Sequence, residues 1–162
     1  MQVYFDNAAT TPMDVQVIDE MADIMKEVFG NASAIHAQGR RARAVVEIAR
    51  KEVAKAINCQ SSEIIFTGSG TEADNMAIRC GANDLGVKHI ITSAIEHKAV
   101  LDTALELHEK GIVEVHYVKL DVFGRADLED LEELAKKYSG ALISLMHANN
   151  EIGVLQPLKE IG

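Results

Sequence analysis

Residues 89–120 read HIITSAIEHKAVLDTALELHEKGIVEVHYVKL, in which two apolar runs, HIITSAI and VEVHYVKL, are separated by a helical stretch at residues 98–110. Short runs rich in Ile and Val are typical of strands that are buried on both faces. EIIFTG from residue 63 and ALISLMH from residue 141 have the same character, with helical stretches at residues 71–85 and 127–138. This alternation predicts an α/β fold, a three-layer α/β/α sandwich with a mainly parallel sheet.

Two further helices are predicted before the first of these runs. Thr11 and Pro12 are typical of an N-cap and a first helical residue, and apolar residues at helical spacing up to Gly30 predict a helix over residues 12–29. A second amphipathic pattern predicts a helix over residues 37–58. No linker-like or low-complexity segment interrupts the chain, so we expect one continuous unit after a short N-terminal arm at residues 1–14.

Composition excludes several classes of protein. The chain has 162 residues, 48% of them hydrophobic and 25% charged, which is typical of a soluble globular domain. A formal net charge of -9 argues against direct nucleic-acid binding. Cys59 and Cys80 lack the CxxC spacing of a metal site, so neither a disulfide framework nor a zinc site is predicted. The absence of a long apolar stretch or signal-like N-terminus predicts a cytoplasmic protein without membrane insertion.

The first candidate site is GSGTE at residues 68–72, between the run EIIFT and a predicted helix. Glycines allow close backbone approach and a helix N-terminus offers unpaired N–H groups, so this turn can hold an anion. An ordinary strand-to-helix turn with a Ser or Thr cap is the structural alternative. Gly68, Gly70 and Ala73 also satisfy the dinucleotide pattern G-x-G-x-x-A, but the acidic residue expected about 20 positions later appears only as Glu96.

Two more polar clusters follow predicted strands. In EHK at residues 96–98, His97 could stack on a flat ring or shuttle a proton, or it could simply cap the next helix. Lys98 could be considered as a lysine that forms a Schiff base, but it lies one residue further along the helix and is expected to point in another direction than His97. MHANNE at residues 146–151 contains amides and a carboxylate that are costly to bury without hydrogen bonds, although an Asn-rich turn would also explain it. Because the three clusters end three strands of one predicted sheet, we expect a common site there.

Five strings extend the pattern over nearly the whole chain: YFDNAATTP, GNASAIHAQGRRAR, FTGSGTEADNMAI, IEHKAVLD and SLMHANNEIGVLQP, in this order from Tyr4 to Pro157. Together they resemble the N-terminal half of the cysteine desulfurase family, within the class V aminotransferases of fold-type I. The resemblance implies pyridoxal 5′-phosphate as cofactor, with residues 15–162 forming the N-terminal part of the cofactor-binding large domain. This chain departs from the family at two places. It reads NASA at residues 31–34 where family members commonly read NPSS, and GSG at residues 68–70 where the usual order is SGG.

The resemblance also assigns roles to individual residues. Gly70 and Thr71 match the loop that binds the cofactor phosphate. His97 matches the catalytic histidine that stacks on the pyridine ring and passes protons, and Asn150 matches the asparagine whose amide approaches the ring's phenolic oxygen. Residues expected to support or position this site are Glu72, Asn75, Glu151, Asn7, Ala8, Thr10, His36 and Arg40.

The implied activity is removal of sulfur from L-cysteine to give L-alanine and an enzyme persulfide. The sulfur would pass to an acceptor such as an iron–sulfur scaffold protein or into tRNA thiolation, and a homodimer is expected. The family's Schiff-base lysine and mobile-loop cysteine would lie beyond Gly162, so these 162 residues alone are expected to be inactive. Selenocysteine lyase or another class V lyase or aminotransferase remains an alternative, as does a non-catalytic binding or assembly fragment.

Overall fold

A computed structural model describes residues 3–162, which divide after Phe66 into two compact units. Within the described range no helix is long and apolar enough to cross a bilayer. The helices are α1 (Val15–Glu27), α2 (Ala37–Ala56), α3 (Gly70–Asn83), α4 (Lys98–Glu109), α5 (Leu128–Lys137) and α6 (Leu158–Ile161), with a 3-10 turn at Ser61–Glu63. The strands are β1 (His89–Thr92), β2 (Glu114–Tyr117) and β3 (Leu142–Ile143).

The two helices of the first unit form where the sequence predicts them, but α1 begins later than expected. Asp14 is the N-cap, and its carboxylate accepts a hydrogen bond from the Gln16 N–H at 2.8 Å. Thr11 and Pro12 therefore lie outside the helix. Aspartate is a stronger N-cap than threonine, so the later start has a local physical cause.

The segment GNASAIHAQGRRAR turns sharply into α2. An ideal Cβ on Gly39 would lie 2.4 Å from the carbonyl oxygen of Ala34, so only glycine fits at this position. The His36 Nδ1 accepts a hydrogen bond from the Gly39 N–H at 3.2 Å, and the Arg43 Nε donates to the Ala32 carbonyl at 3.0 Å. These contacts account for much of this motif as a structural corner.

The strand predicted at EIIFTG is not present, and that prediction was wrong. Ile64 has extended backbone angles, yet residues 64–67 pair with no strand among residues 3–162. An extended segment without a partner lacks the ladder of hydrogen bonds that defines a strand. Arg50 contacts the segment instead, donating to the Ile64 carbonyl and lying 4.9 Å from the centre of the Phe66 ring.

The second unit is built on a parallel sheet of three strands in the order β2-β1-β3, which confirms the predicted parallel arrangement. In the central strand, Ile90 and Ile91 are both 0% exposed and, because side chains alternate along a strand, face opposite sides of the sheet. Ile90 packs with α3 and α4, and Ile91 packs with α5. Helices therefore cover both faces, as the predicted three-layer α/β/α arrangement requires.

One buried polar atom in β1 lacks a partner. The hydroxyl of Thr92 is fully buried and has no hydrogen-bond partner among residues 3–162. We expect Thr92→Val to raise the free energy of unfolding by about 1–2 kcal/mol, because it removes an unsatisfied polar group and nearly preserves the volume. The matched control is Thr103→Val, since the Thr103 hydroxyl donates to Asn75 Oδ1 at 2.7 Å. Urea denaturation should show that the control is destabilised. Equal losses of unfolding free energy in both variants would contradict the conclusion that the Thr92 hydroxyl has no hydrogen-bond partner.

Candidate functional site

The first turn of α3 offers unpaired donors. Ser69 caps this helix, with its hydroxyl accepting from the Glu72 N–H at 3.1 Å and its carbonyl from the Ala73 N–H at 3.1 Å. The N–H groups of Gly70 and Thr71 have no partner among residues 3–162. Apart from its chain neighbours and the backbone of its own helix, no atom lies within 4 Å of an ideal Cβ on Gly70, so the space beside this turn is open. Donors and space together make this helix N-terminus a candidate anion-binding turn.

His97 is the N-cap of α4, and its ring is held by the backbone. The Nδ1 atom accepts a hydrogen bond from the Ala99 N–H at 3.1 Å. In a neutral ring the proton is then on Nε2, the atom left available to a ligand. The capping role and the ligand role proposed from the sequence are thus compatible, because they use different nitrogens.

The loop after β3 is fixed by a residue whose role the sequence did not reveal. Asn149 is buried, and its Nδ2 donates to the Ile95 carbonyl at 2.8 Å. Its Oδ1 accepts from the N–H groups of Glu151 at 2.8 Å and Ile152 at 2.9 Å. The neighbouring Asn150 remains exposed. Asn149 therefore holds the loop against the end of β1 and leaves the Asn150 amide available.

Glu96 joins the ends of β1 and β3. This buried carboxylate accepts from the Met146 N–H at 2.6 Å and from the Ser93 hydroxyl at 3.2 Å. Burial raises the pKa of Glu96, and the two hydrogen bonds oppose part of that rise because they favour the charged form. Glu96 thus has a structural role, because it links the segments that follow β1 and β3 beside the candidate cavity.

These elements surround a cavity of about 400 Å³ at the carboxyl end of β1. Its walls include His97, Asn149 and Asn150. Lys98 also lines it, so the expectation that this side chain faces elsewhere was wrong. A cavity of this size suits a small cofactor or substrate.

A second cavity, of about 300 Å³, lies between α3 and α4 and shares His97 with the first. Thr71 and Asn75 are among its lining residues. The Asn75 Nδ2 donates to the carbonyls of Thr71 at 2.8 Å and Ala99 at 3.3 Å. Asn75 therefore fixes the anion-binding turn relative to the helix that carries His97.

The predicted site residues of the second unit are thus brought together in part. Thr71 shares one cavity with His97, and Asn150 shares the other. Gly70 lines neither cavity but immediately precedes Thr71 in the first turn of α3. Residues predicted to lie near the site from the first unit are Asn7, Ala8, Thr10, His36 and Arg40; their position relative to it remains a prediction.

The layered fold, the helix N-terminus with unpaired N–H groups and the polar cavity at the strand ends define an α/β domain with a candidate anion-binding site. The sequence profile of the family described as aminotransferase class V matches residues 3–162. The chain belongs to the aminotransferase class V family.

Relatives and solved structures support the same placement. The chain is 48% identical over 162 residues to cysteine desulfurase IscS of Dictyoglomus turgidum, covering 99% of this chain and 41% of that protein. It is 46% identical to cysteine desulfurase IscS of Methanosarcina thermophila, covering 99% and 40%. A solved NifS-like protein matches with a TM-score of 0.92 and 41% identity, over 99% of this chain and 44% of that one.

A structure of SspA in complex with cysteine matches with a TM-score of 0.89 and 35% identity, over 98% of this chain and 46% of that one. These matches confirm the resemblance to cysteine desulfurases predicted from the five strings. The chain spans less than half the length of the relatives it matches.

Asn149 provides a test of how the loop is held. Asn149→Ala removes the hydrogen bonds to Ile95, Glu151 and Ile152, leaving their backbone groups unsatisfied. We expect a loss of about 2–4 kcal/mol in the free energy of unfolding. Asn150→Ala is the control, because Asn150 is exposed, and it should change stability by less than about 0.5 kcal/mol. Equal effects in urea denaturation would mean that Asn149 does not fasten the loop.

The raised pKa of Glu96 predicts a pH effect of defined sign. A carboxyl whose pKa is higher in the folded state stabilises the fold below its unfolded pKa, about 4.3, and loses that contribution as pH rises through the folded pKa. Glu96→Gln keeps an acceptor for the Met146 N–H but cannot ionise. The variant should therefore gain stability relative to the parent as pH rises from 4 to about 7. A difference that is constant across this range in urea denaturation would refute the effect.

Proposed function

We propose that this chain forms the N-terminal part of a pyridoxal-phosphate-dependent cysteine desulfurase. The single observation that carries the proposal is that His97 lines both cavities, one shared with Asn150 and the other with Thr71 at the anion-binding turn. The membership of the chain in the aminotransferase class V family and the names of its relatives support the same activity.

The residues present fit the cofactor. The unpaired N–H groups of Gly70 and Thr71 and the open space beside Gly70 suit a phosphate group, which would add negative charge at a helix N-terminus. His97 would contact the flat ring, and the Asn150 amide would donate to the oxygen on it. When bound, pyridoxal 5′-phosphate supplies an electron sink for bonds at the substrate's α-carbon.

Proton transfer is assigned to His97. Its Nδ1 is engaged by the Ala99 N–H, so the ring keeps one orientation while Nε2 exchanges a proton with the substrate. Asn75 and Asn149 act as positioning residues, because they hold the two helix starts and the loop through the hydrogen bonds described above. The substrate thereby meets donors that do not need to reorganise.

The proposed substrate is L-cysteine, and the products are L-alanine and a persulfide on a cysteine of the enzyme. SspA, a structural neighbour, is known in complex with cysteine. A hydrogen bond to Asp84 raises the pKa of the Cys80 thiol, which disfavours the thiolate that such a nucleophile requires. We place the persulfide cysteine and the Schiff-base lysine in the portion of the relatives that this chain does not span. An iron–sulfur scaffold protein is the proposed acceptor, and a homodimer the proposed assembly.

The experiment compares variants of the whole polypeptide that carries this chain. His97→Gln should lower alanine and sulfide production from L-cysteine by at least about a hundredfold, since it removes the proton-transfer group. Thr71→Val removes the hydroxyl beside the proposed phosphate position but keeps the N–H, so it should weaken cofactor binding, measured by absorbance titration of the apoprotein. The control is His147→Gln, because His147 lies in the same loop region without lining the cavity, and its activity should be nearly unchanged. A fully active His97→Gln variant would overturn the proposal.

A further inference from the structure

Three potential metal ligands meet at the end of the sheet opposite the candidate site. His89 is the first residue of β1 and Glu114 is the first residue of β2, whereas the cavity follows the last residue of β1. The strand register pairs His89 with Glu114 and Ile91 with His116. Because side chains two apart on a strand share a face, all three side chains lie on the same side of the sheet.

The three ligand atoms are close to one another. His89 Nδ1 lies 3.2 Å from His116 Nε2 and 3.6 Å from Glu114 Oε2, and His116 Nε2 lies 3.8 Å from the same oxygen. Zinc bonds of about 2.0–2.2 Å in a tetrahedron place neighbouring ligands about 3.3–3.6 Å apart. Shifts of a few tenths of an ångström would bring the three atoms to that geometry.

We propose that His89, His116 and Glu114 form a binding site for a Zn²⁺-class transition-metal ion, with water as the fourth ligand. Two imidazoles and one carboxylate are a donor set that Zn²⁺ accepts and that Mg²⁺ and Ca²⁺, which require mostly oxygen ligands, do not favour. The exposed fractions of the side chains are 31%, 15% and 65%, so solvent reaches the site. The bound ion would fasten β1 to β2.

The aromatic surroundings hold the ligands in position. The Tyr138 ring stacks on His116 with centroids 3.7 Å apart and planes at 14°, and its centroid lies 4.7 Å from that of His89. Tyr138 is the C-cap of α5, so this helix also packs against the site.

The competing explanation is a simple hydrogen bond between the two imidazoles. One ring nitrogen would then carry the proton and point at the other, and the Glu114 carboxylate would only screen charge. The two explanations differ in what they predict for added metal. A hydrogen-bonded pair alone gives no saturable binding that depends on Glu114 as well as on both histidines.

The test uses the whole protein without a histidine tag, freed of metal by chelator and dialysis, and titrated with Zn²⁺ in a calorimeter. We expect one ion to bind per chain at this site, in addition to any ions bound elsewhere in the protein, with a micromolar or tighter dissociation constant near pH 7.5. His89→Gln, His116→Gln and Glu114→Gln should each weaken this binding at least about tenfold. Controls matched in chemistry are His147→Gln, at the opposite end of the sheet, and Glu109→Gln, which should leave it unchanged.

Cobalt substitution gives a second readout that is independent of enzyme activity. Co²⁺ bound at the site should show the strong visible absorption of tetrahedral coordination, and Glu114→Gln should reduce it. Since Glu114 is exposed, that variant should fold normally even if a histidine variant does not, which circular dichroism would verify. Absence of saturable binding, or binding unaffected by the three ligand variants, would overturn the proposal. Equal loss of binding in His147→Gln would overturn the assigned ligand set.

Discussion

The burial of β1 between two hydrophobic layers is the constraint on which the second unit depends. Ile90 and Ile91 are inaccessible to solvent on opposite faces, and each contributes about 1.5–3 kcal/mol through the hydrophobic effect. One layer recruits α3 and α4 and the other recruits α5. Because both faces are covered, polar chemistry can occur only at the two ends of the strand. The candidate cofactor cavity lies at one end, and the imidazole cluster lies at the other.

The end of β1 at the candidate cavity shows a division between buried and exposed polar side chains. Glu96 and Asn149 are buried, and each is hydrogen-bonded to backbone groups of a neighbouring segment. Such groups are costly to desolvate, so they persist only where the partners are well placed. His97 and Asn150, which follow them directly in the chain, remain exposed. The buried member of each pair fixes the backbone, and the exposed member is left at the wall of the candidate cavity.

Local pattern was sufficient for most of the fold, and it pointed to His97 and Asn150, which line one cavity and whose roles stay predictions. Helical spacing placed α1 to α5 within a few residues, and runs of Ile and Val placed three strands. EIIFTG failed because a strand requires a partner, and composition alone does not show whether one is present. The sequence did not show that Glu96 and Asn149 link separate segments, because their hydrogen-bond partners lie 50 and 54 positions away. The cluster at His89 and His116 was missed for the same reason, since 27 positions separate the two rings.

The spacing of these long-range pairs follows from the repeating strand–helix–strand unit. Each helical crossover returns the chain to the end of the sheet where the previous strand began. Residues about one repeat apart therefore become neighbours on adjacent strands. By this rule His89 and His116 meet at the end of the sheet where the strands begin. Glu96 meets Met146 at the opposite end, where the strands finish, after two crossovers. A polar residue beside a strand therefore gains its partner from topology rather than from local sequence. This is why fold assignment must precede site assignment in a chain of this kind.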